Sequence, residues 1–248
     1  MTVSKGAAKF LLTQFICAFV SLLLGVPTSG AATLTATLTA DNHYALYFGT
    51  DSNLTFVGRN EKGPAGSPGT YNWSLPETFG GLQLSESDRF YVAIWDENIV
   101  NGSQALLGQF TTDDGGTLLT NASEWGYYIT GAPNPGTNGD PPSAGDLDAL
   151  ISTASWVQPG SAFLNGTEVW AAYTGGPTPG ISTQAYWICR IACDGPTDRL
   201  TVYRSFSIGE IQGRVIVTGV VPEPAVLGLL GIGLVAGFLL NRQKFPWA

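Results

Sequence analysis

The single histidine, His43, limits the nucleophilic chemistry open to this chain. Ser-His-Asp and Cys-His mechanisms both need an imidazole as general base, so any such site would have to include His43. It lies in the segment Asp41-Asn42-His43-Tyr44, where a turn or a strand edge explains it without catalysis. Paired carboxylates for glycoside hydrolysis cannot be recognised, because their spatial separation is not readable from the sequence. We therefore expect a protein without enzymatic activity.

Several Asp and Asn clusters supply the hard oxygen ligands that calcium prefers. Asp41 and Asn42 together with Asp96 form the set that we would assign to Ca²⁺, as residues of loops at one end of a sandwich. The alternative is turn formation, since Asp and Asn side chains close their own turns. No cluster follows the twelve-residue calcium loop between two helices. Calcium binding is thus a hypothesis, and no other cofactor is expected.

Tryptophan faces could stack on sugar rings while polar neighbours bind the hydroxyls. The chain has 7 Trp and 9 Tyr with only 12% charged residues. Trp73 and Trp156 lie beside Pro or Ser and are our candidates for sugar stacking, whereas Trp95, Trp170 and Trp187 follow strand alternation and are expected in the core.

Cys189 and Cys193 are the cysteines that remain if an N-terminal signal containing Cys17 is removed. On an extended strand they would be about 13 Å apart, too far for a disulfide. The following Asp194-Gly195-Pro196 favours a turn, and we predict a local disulfide in an oxidising compartment. Two cysteines and one unrelated histidine do not make a zinc site.

Many short segments with the two-residue period of β-strands must position these residues. Thr33–Ala40 alternates hydroxyl and apolar residues strictly, and 32 Gly with 15 Pro supply frequent turns. Only Ala144–Thr153 suggests a helix, with Asp146 as its cap. We expect an all-β fold, an antiparallel β-sandwich or jelly roll. Further strands are predicted at His43–Phe48, Leu54–Gly58, Phe90–Trp95, Gln104–Thr111, Glu124–Thr130, Thr167–Tyr173, Gln184–Ile191, Leu200–Ile208 and Ile211–Thr218.

The two ends differ from this central region. Residues 1–32 have the basic start, apolar stretch and small-residue end of a signal peptide, the substrate of signal peptidase. Residues 220–248 contain Pro222-Glu223-Pro224, the uncharged span Ala225–Leu240 and the cations Arg242 and Lys244, which favours a transmembrane helix with a cytoplasmic end. The ectodomain then covers residues 33–219.

The ectodomain is acidic. Residues 33–219 contain 7 Lys+Arg and 18 Asp+Glu, a net charge of −11 against −8 for the whole chain. Nucleic-acid binding needs a basic face to replace phosphate counterions, so a nucleic-acid partner is not expected. The long Gly131–Gly145 segment, with four prolines, is interpreted as a loop within one domain rather than a linker between two.

The C-terminal segment resembles the PEP-CTERM sorting tail of bacterial envelope proteins, through Pro222-Glu223-Pro224, the apolar span and Arg242 with Lys244. The resemblance implies recognition by exosortase, a membrane protease-transpeptidase that cuts near Pro-Glu-Pro. The span of 16 residues would be about 24 Å long as a helix, short for a permanent anchor. The resemblance to this tail also implies export, anchoring in the inner membrane before processing, and a final place at the cell surface or outside the cell.

A second resemblance links Thr39–Tyr47, Tyr91–Asp96 and Gln104–Phe110 to the β-sandwich ectodomain of cyanobacterial PEP-CTERM proteins. It implies a fold and a surface setting, without a defined ligand. The function we expect is structural or adhesive, with exopolysaccharide or another surface glycan as partner. A lectin-like module that binds carbohydrate or calcium is the alternative, followed by a glycan-active hydrolase.

Overall fold

The computed structural model describes residues 32–60, 75–96, 102–136, 139–167, 175–195 and 198–210. All of them belong to one unit, Ala31–Ala248. In these ranges the chain forms eleven strands and the helix α1: β1 Ala32–Asp41, β2 His43–Thr50, β3 Asn53–Arg59, β4 Glu77–Leu84, β5 Arg89–Trp95, β6 Gly102–Thr112, β7 Thr117–Leu119, β8 Trp125–Pro133, α1 Ala144–Ile151, β9 Gly160–Leu164, β10 Tyr186–Gly195 and β11 Arg199–Ser205.

The described strands pair into two antiparallel sheets. Sheet A has the order β4-β1-β6-β10-β9, with β7 also paired to β6. Sheet B has the order β3-β2-β5-β11-β8. The chain changes sheet repeatedly, and only β2–β3, β6–β7 and β9–β10 pair as sequence neighbours. The described residues are mostly β-strand in two antiparallel sheets, which confirms the prediction of an all-β antiparallel fold.

A core between the sheets takes alternate residues from both. Leu34, Ala36 and Leu38 of β1 face Val92 and Ile94 of β5 in one buried cluster. The period of two in β1 is thus the alternation that places every second side chain toward the other sheet. The strict Thr/apolar pattern of this segment is sufficient to predict its inward face.

The outer faces of both sheets are also partly covered, which explains why β2 and β5 are buried almost throughout. Helix α1 packs Leu147 and Ile151 on the outer face of sheet B, against a cluster that includes Trp95. Ser143 caps this helix by accepting a hydrogen bond from the Asp146 backbone N–H at 3.2 Å. The predicted Asp146 cap is therefore wrong: the cap is Ser143, three residues earlier, and Asp146 lies in the first turn of the helix.

Three strands, β4, β7 and β9, were not predicted from the sequence. β4 contains Gly80-Gly81, which indicates a turn in isolation, and β9 follows Pro159. β7 has only three residues. Each is held by pairing to a stronger strand rather than by its own pattern. The strands predicted at Thr167–Tyr173 and Ile211–Thr218 lie wholly or largely outside the described residues.

Among the residues that the structure describes, no helix is long and apolar enough to cross a membrane. The predicted signal helix and the predicted transmembrane helix at Ala225–Leu240 both lie outside the described residues.

Candidate functional site

A groove of about 480 Å³ opens on the outer face of sheet B, at the end where β5 begins and β11 ends. This volume is within the range of small-molecule sites, roughly 300–1,000 Å³. The groove is defined here by its aromatic and polar lining, Arg89, Trp156, Gln158, Arg204, Phe206 and Glu210. We take it as the candidate functional site of the described residues.

Trp156 forms one wall because the segment after α1 attaches to the edge of sheet B. Val157 and Tyr127 exchange two backbone hydrogen bonds of 2.7 and 2.9 Å. Gly126 lets the indole lie close to β8, since a Cβ there would be 3.3 Å from the Trp156 Cβ. The ring contacts Tyr91 and Tyr128 at centroid distances of 6.2 and 6.1 Å. Trp156 is half-buried and packed against sheet B.

Arg204 covers part of this tryptophan. Its Cζ lies 4.3 Å from the Trp156 ring centroid, a cation–π contact. The same guanidinium donates to both carboxylate oxygens of Asp51, at 3.0 and 2.9 Å. One indole face is thus occupied, and a ligand would use the remaining surface of Trp156.

Asp51, in the turn between β2 and β3, fixes the position of Arg204. It also accepts a hydrogen bond from the Tyr91 hydroxyl at 2.5 Å. Burial acts to raise the pKa of Asp51, but the hydrogen bonds from Tyr91 and Arg204 and the charges of Arg204 and Arg89 outweigh it and hold the pKa below its ordinary value. Burial, followed by the bond to Asp51 and its charge, raises the pKa of Tyr91. The Asp51 carboxylate is therefore ionised at neutral pH.

Arg89 and Glu210 also line the groove and contact each other. Arg89 Nη1 lies 3.3 Å from the Glu210 carboxylate and donates to the Ser205 carbonyl oxygen at 3.2 Å. Glu210 Oε2 also accepts from the Ser207 N–H and hydroxyl, both at 2.7 Å. This part of the groove is anchored because the Gly209 N–H donates to the Glu86 carbonyl at 2.8 Å.

The chain enters and leaves the described domain at this same end. Ala32 pairs with Leu84 at the end of β4, and Gly209 bonds to Glu86 in the turn that follows. Glu210 lines the groove and precedes Pro222 by 12 residues. The groove is therefore close in sequence to the predicted sorting tail.

The predicted calcium residues lie at the opposite end of the sandwich. Asn42 and Asp96 flank the last pair of the β2–β5 ladder, His43 with Trp95, and both are buried. Asp41 pairs with Ala105 of β6 in the other sheet. Each of the three has an interaction within the protein. Within the described ranges, no three or more His, Cys, Asp or Glu side chains form a group that could hold a metal ion. The Ca²⁺ assignment stays a prediction.

The remaining candidates have different environments. Trp95 and Trp187 are buried core residues, at 0% and 1% exposure, whereas Trp73 and Trp170 lie outside the described residues. His43 is buried and stacked on Trp95, with ring centroids 5.2 Å apart, away from the groove. The structure joins Cys189 to Cys193 by a disulfide, with Cα atoms 5.0 Å apart, on the outer side of sheet A. The sorting residues Pro222, Glu223, Pro224, Arg242 and Lys244 are not described.

Of the groove residues, sequence reasoning identified Trp156 alone. Arg89 directly precedes the predicted strand Phe90–Trp95, Arg204 lies inside the predicted strand Leu200–Ile208, and both resemble ordinary surface cations. Arg89 is two residues before Tyr91, and Arg204 is two residues after Val202, so each arginine shares the outward face of that neighbour. This alternation can be read from the sequence, but only the pairing of β5 with β11 shows that the two arginines lie near each other.

Residues 220–243 match the family model of the PEP-CTERM protein-sorting motif. The segment thus carries the sorting signal that exosortase recognises, and the chain is an exported protein sorted to the cell envelope. No curated protein and no solved structure matches the chain. The cyanobacterial-type ectodomain therefore stays a resemblance of sequence.

Proposed function

We propose that this protein is an adhesive component of the bacterial cell envelope that binds an extracellular polysaccharide through the groove on sheet B. The observation that carries the proposal is the lining of the groove, an indole beside planar polar side chains. Trp156 offers apolar surface, while Arg89, Gln158 and Glu210 offer donors and acceptors for hydroxyl groups. This combination is what an amphipathic sugar ring requires of a protein surface.

The rigidity of the site supports binding. Arg204 is fixed by Asp51 on one side and by the Trp156 ring on the other. Side chains that are ordered before the ligand arrives lose less conformational entropy on binding. Arg89 and Arg204 lie on the paired strands β5 and β11, and Trp156 lies in the segment after α1, which is hydrogen-bonded to β8 through Val157. The proposed role is binding without catalysis.

Binding is tested with the purified full chain in detergent on an array of bacterial and plant polysaccharides. Trp156→Ala should lower affinity for the bound glycan at least about tenfold, as expected for a central aromatic contact. Phe56→Ala is the matched control, because Phe56 is 45% exposed on β3, the other edge strand of sheet B. Equal binding by both variants, or no binding to any glycan by the unmodified chain, would contradict the proposal.

The tail is proposed to anchor the precursor in the inner membrane through Ala225–Leu240 until exosortase cuts near Pro222-Glu223-Pro224. The matched sorting motif supports this order of events. Intact-mass spectrometry of protein isolated from its own envelope should show loss of both the signal segment and the tail. A mature protein that still contains Trp247 would contradict cleavage.

A further inference from the structure

The groove is balanced in charge although it contains two arginines. Arg204 is paired with both oxygens of Asp51, and Arg89 lies 3.3 Å from Glu210. Each cation therefore has a carboxylate partner within the protein. A site that recruits an anionic ligand would instead leave its cations without internal partners, because a paired guanidinium attracts a second carboxylate less strongly.

These pairs persist at neutral pH. Asp51 keeps its charge because Tyr91 and Arg204 hydrogen-bond to the ionised form. An anionic sugar would have to compete with Asp51 for Arg204, whose Nη1 donates to both carboxylate oxygens. It would also have to compete with Glu210 for Arg89.

The groove nevertheless keeps hydrogen-bonding capacity for uncharged hydroxyls. Within the described residues, the hydrogen bonds of Arg89 use Nη1, which leaves the donors of Nη2 and Nε. The exposed Gln158 amide supplies both a donor and an acceptor. Glu210, with a side chain 51% exposed, supplies an acceptor. Neighbouring hydroxyls of a pyranose need this mixture of donors and acceptors.

The net negative charge of the whole ectodomain also disfavours an acidic glycan. With −11 over residues 33–219, the field at moderate ionic strength repels a polyanion and leaves a neutral polymer unaffected. We infer that the groove selects a neutral glycan over an acidic one, an inference that rests on the proposed polysaccharide-binding function.

The test compares polymers that share a backbone and differ in charge. The full chain in detergent is titrated with dextran, galactomannan and xyloglucan, and with the carboxymethyl derivative of each. At low salt, at least one neutral polymer should bind about tenfold more tightly than its carboxymethyl form. Added salt should narrow the difference, since screening weakens repulsion.

Two variants assign the effect to the groove. Gln158→Ala removes an exposed amide and should weaken neutral-glycan binding several-fold with an unchanged thermal midpoint. Arg89→Gln should weaken it further. Arg199→Gln is the control at the other end of β11, where Arg199 forms an exposed pair with Asp198, and should bind as the unmodified chain does.

The outcomes separate the two claims. Tighter binding of a carboxymethyl polymer, lost in Arg89→Gln, would overturn the neutral-glycan inference and retain polysaccharide binding. Neutral binding that neither Gln158→Ala nor Arg89→Gln reduces would overturn the groove as its site. No binding to any of the six polymers or to the array would overturn both.

Discussion

Two tryptophan–arginine pairs lie on the same outer face of sheet B, and they differ in what covers them. At one end Arg59 lies over the ring of Trp95, with 5.6 Å between Cζ and the ring centroid. At the other end Arg204 lies over Trp156 at 4.3 Å. The first tryptophan is fully buried, whereas the second lines the open groove. The chemistry of the residues is alike, and only their surroundings differ.

The loop between β8 and α1 makes the difference. It accepts a hydrogen bond from the Trp95 indole at the Gly136 carbonyl, 3.1 Å away, and one from the Tyr47 hydroxyl at the Pro142 carbonyl, 2.6 Å away. Asn134 donates to the Asp96 carbonyl at 3.0 Å. The proline-rich segment is thus attached to the sheet at several points. An aromatic–cation pair becomes part of the core when the loop covers it and lines an open groove when it does not.

The largest expected loss of stability comes from a change in the covered pair, Trp95 and Arg59. Trp95→Ala should lower the free energy of unfolding by about 3–5 kcal/mol, because it leaves a cavity and removes the indole bond to the loop. Trp156→Ala should cost about half as much or less, since its ring is partly exposed. Urea denaturation of both variants measures this. Equal losses would mean that the two tryptophans do not differ in packing.

An intermediate loss of stability is expected from a substitution in the turn that carries Asp51. Gly49 has φ of 142°, and a Cβ there would lie 2.1 Å from the Asn53 carbonyl oxygen. Gly49→Ala should therefore destabilise by about 2 kcal/mol or more and weaken glycan binding by moving the partner of Arg204. Gly115→Ala is the control, because Gly115 also has positive φ but open space around its Cβ position. A larger loss in that variant, by thermal denaturation, would contradict the argument.

The smallest effect on stability, with a distinct pH signature, is expected from Asp51→Asn. The carboxylate is 54% exposed, so its pair with Arg204 should contribute only about 0.5–1 kcal/mol. Because the pKa of Asp51 is lower in the folded protein than in the unfolded chain, this contribution is present above about pH 4 and is lost as pH falls through the folded-state pKa.

Denaturation between pH 2 and 7 tests this prediction. The unmodified chain and Asp51→Asn should converge in stability at the acid end and diverge as pH rises. A difference that is constant across the range would show that the carboxylate acts through packing alone. Asp198→Asn, at an exposed pair with Arg199, should change stability less at neutral pH.

Local patterns in the sequence were sufficient for much of the fold. The alternation of Thr33–Ala40 predicted β1 within a residue at each end, and the Pro-Glu-Pro tail predicted the sorting motif found at residues 220–243. Both signals depend on neighbouring residues only, either on strand period or on the sequence of a short segment. The same kind of reasoning missed β4 and β9, which depend on pairing with β1 and β10.

The tertiary structure decided the candidate site. Arg89 and Arg204 are 115 residues apart in the chain, and they meet because β5 pairs with β11. Trp156 reaches them because Val157 attaches to β8, and Asp51 reaches Arg204 from the β2–β3 turn, with β5 between their strands. Sequence period fixes which face a side chain takes, but strand order and loop cover fix its neighbours. The sequence by itself therefore determined an exported β protein with a sorting tail, and long-range pairing determined where that protein has a groove.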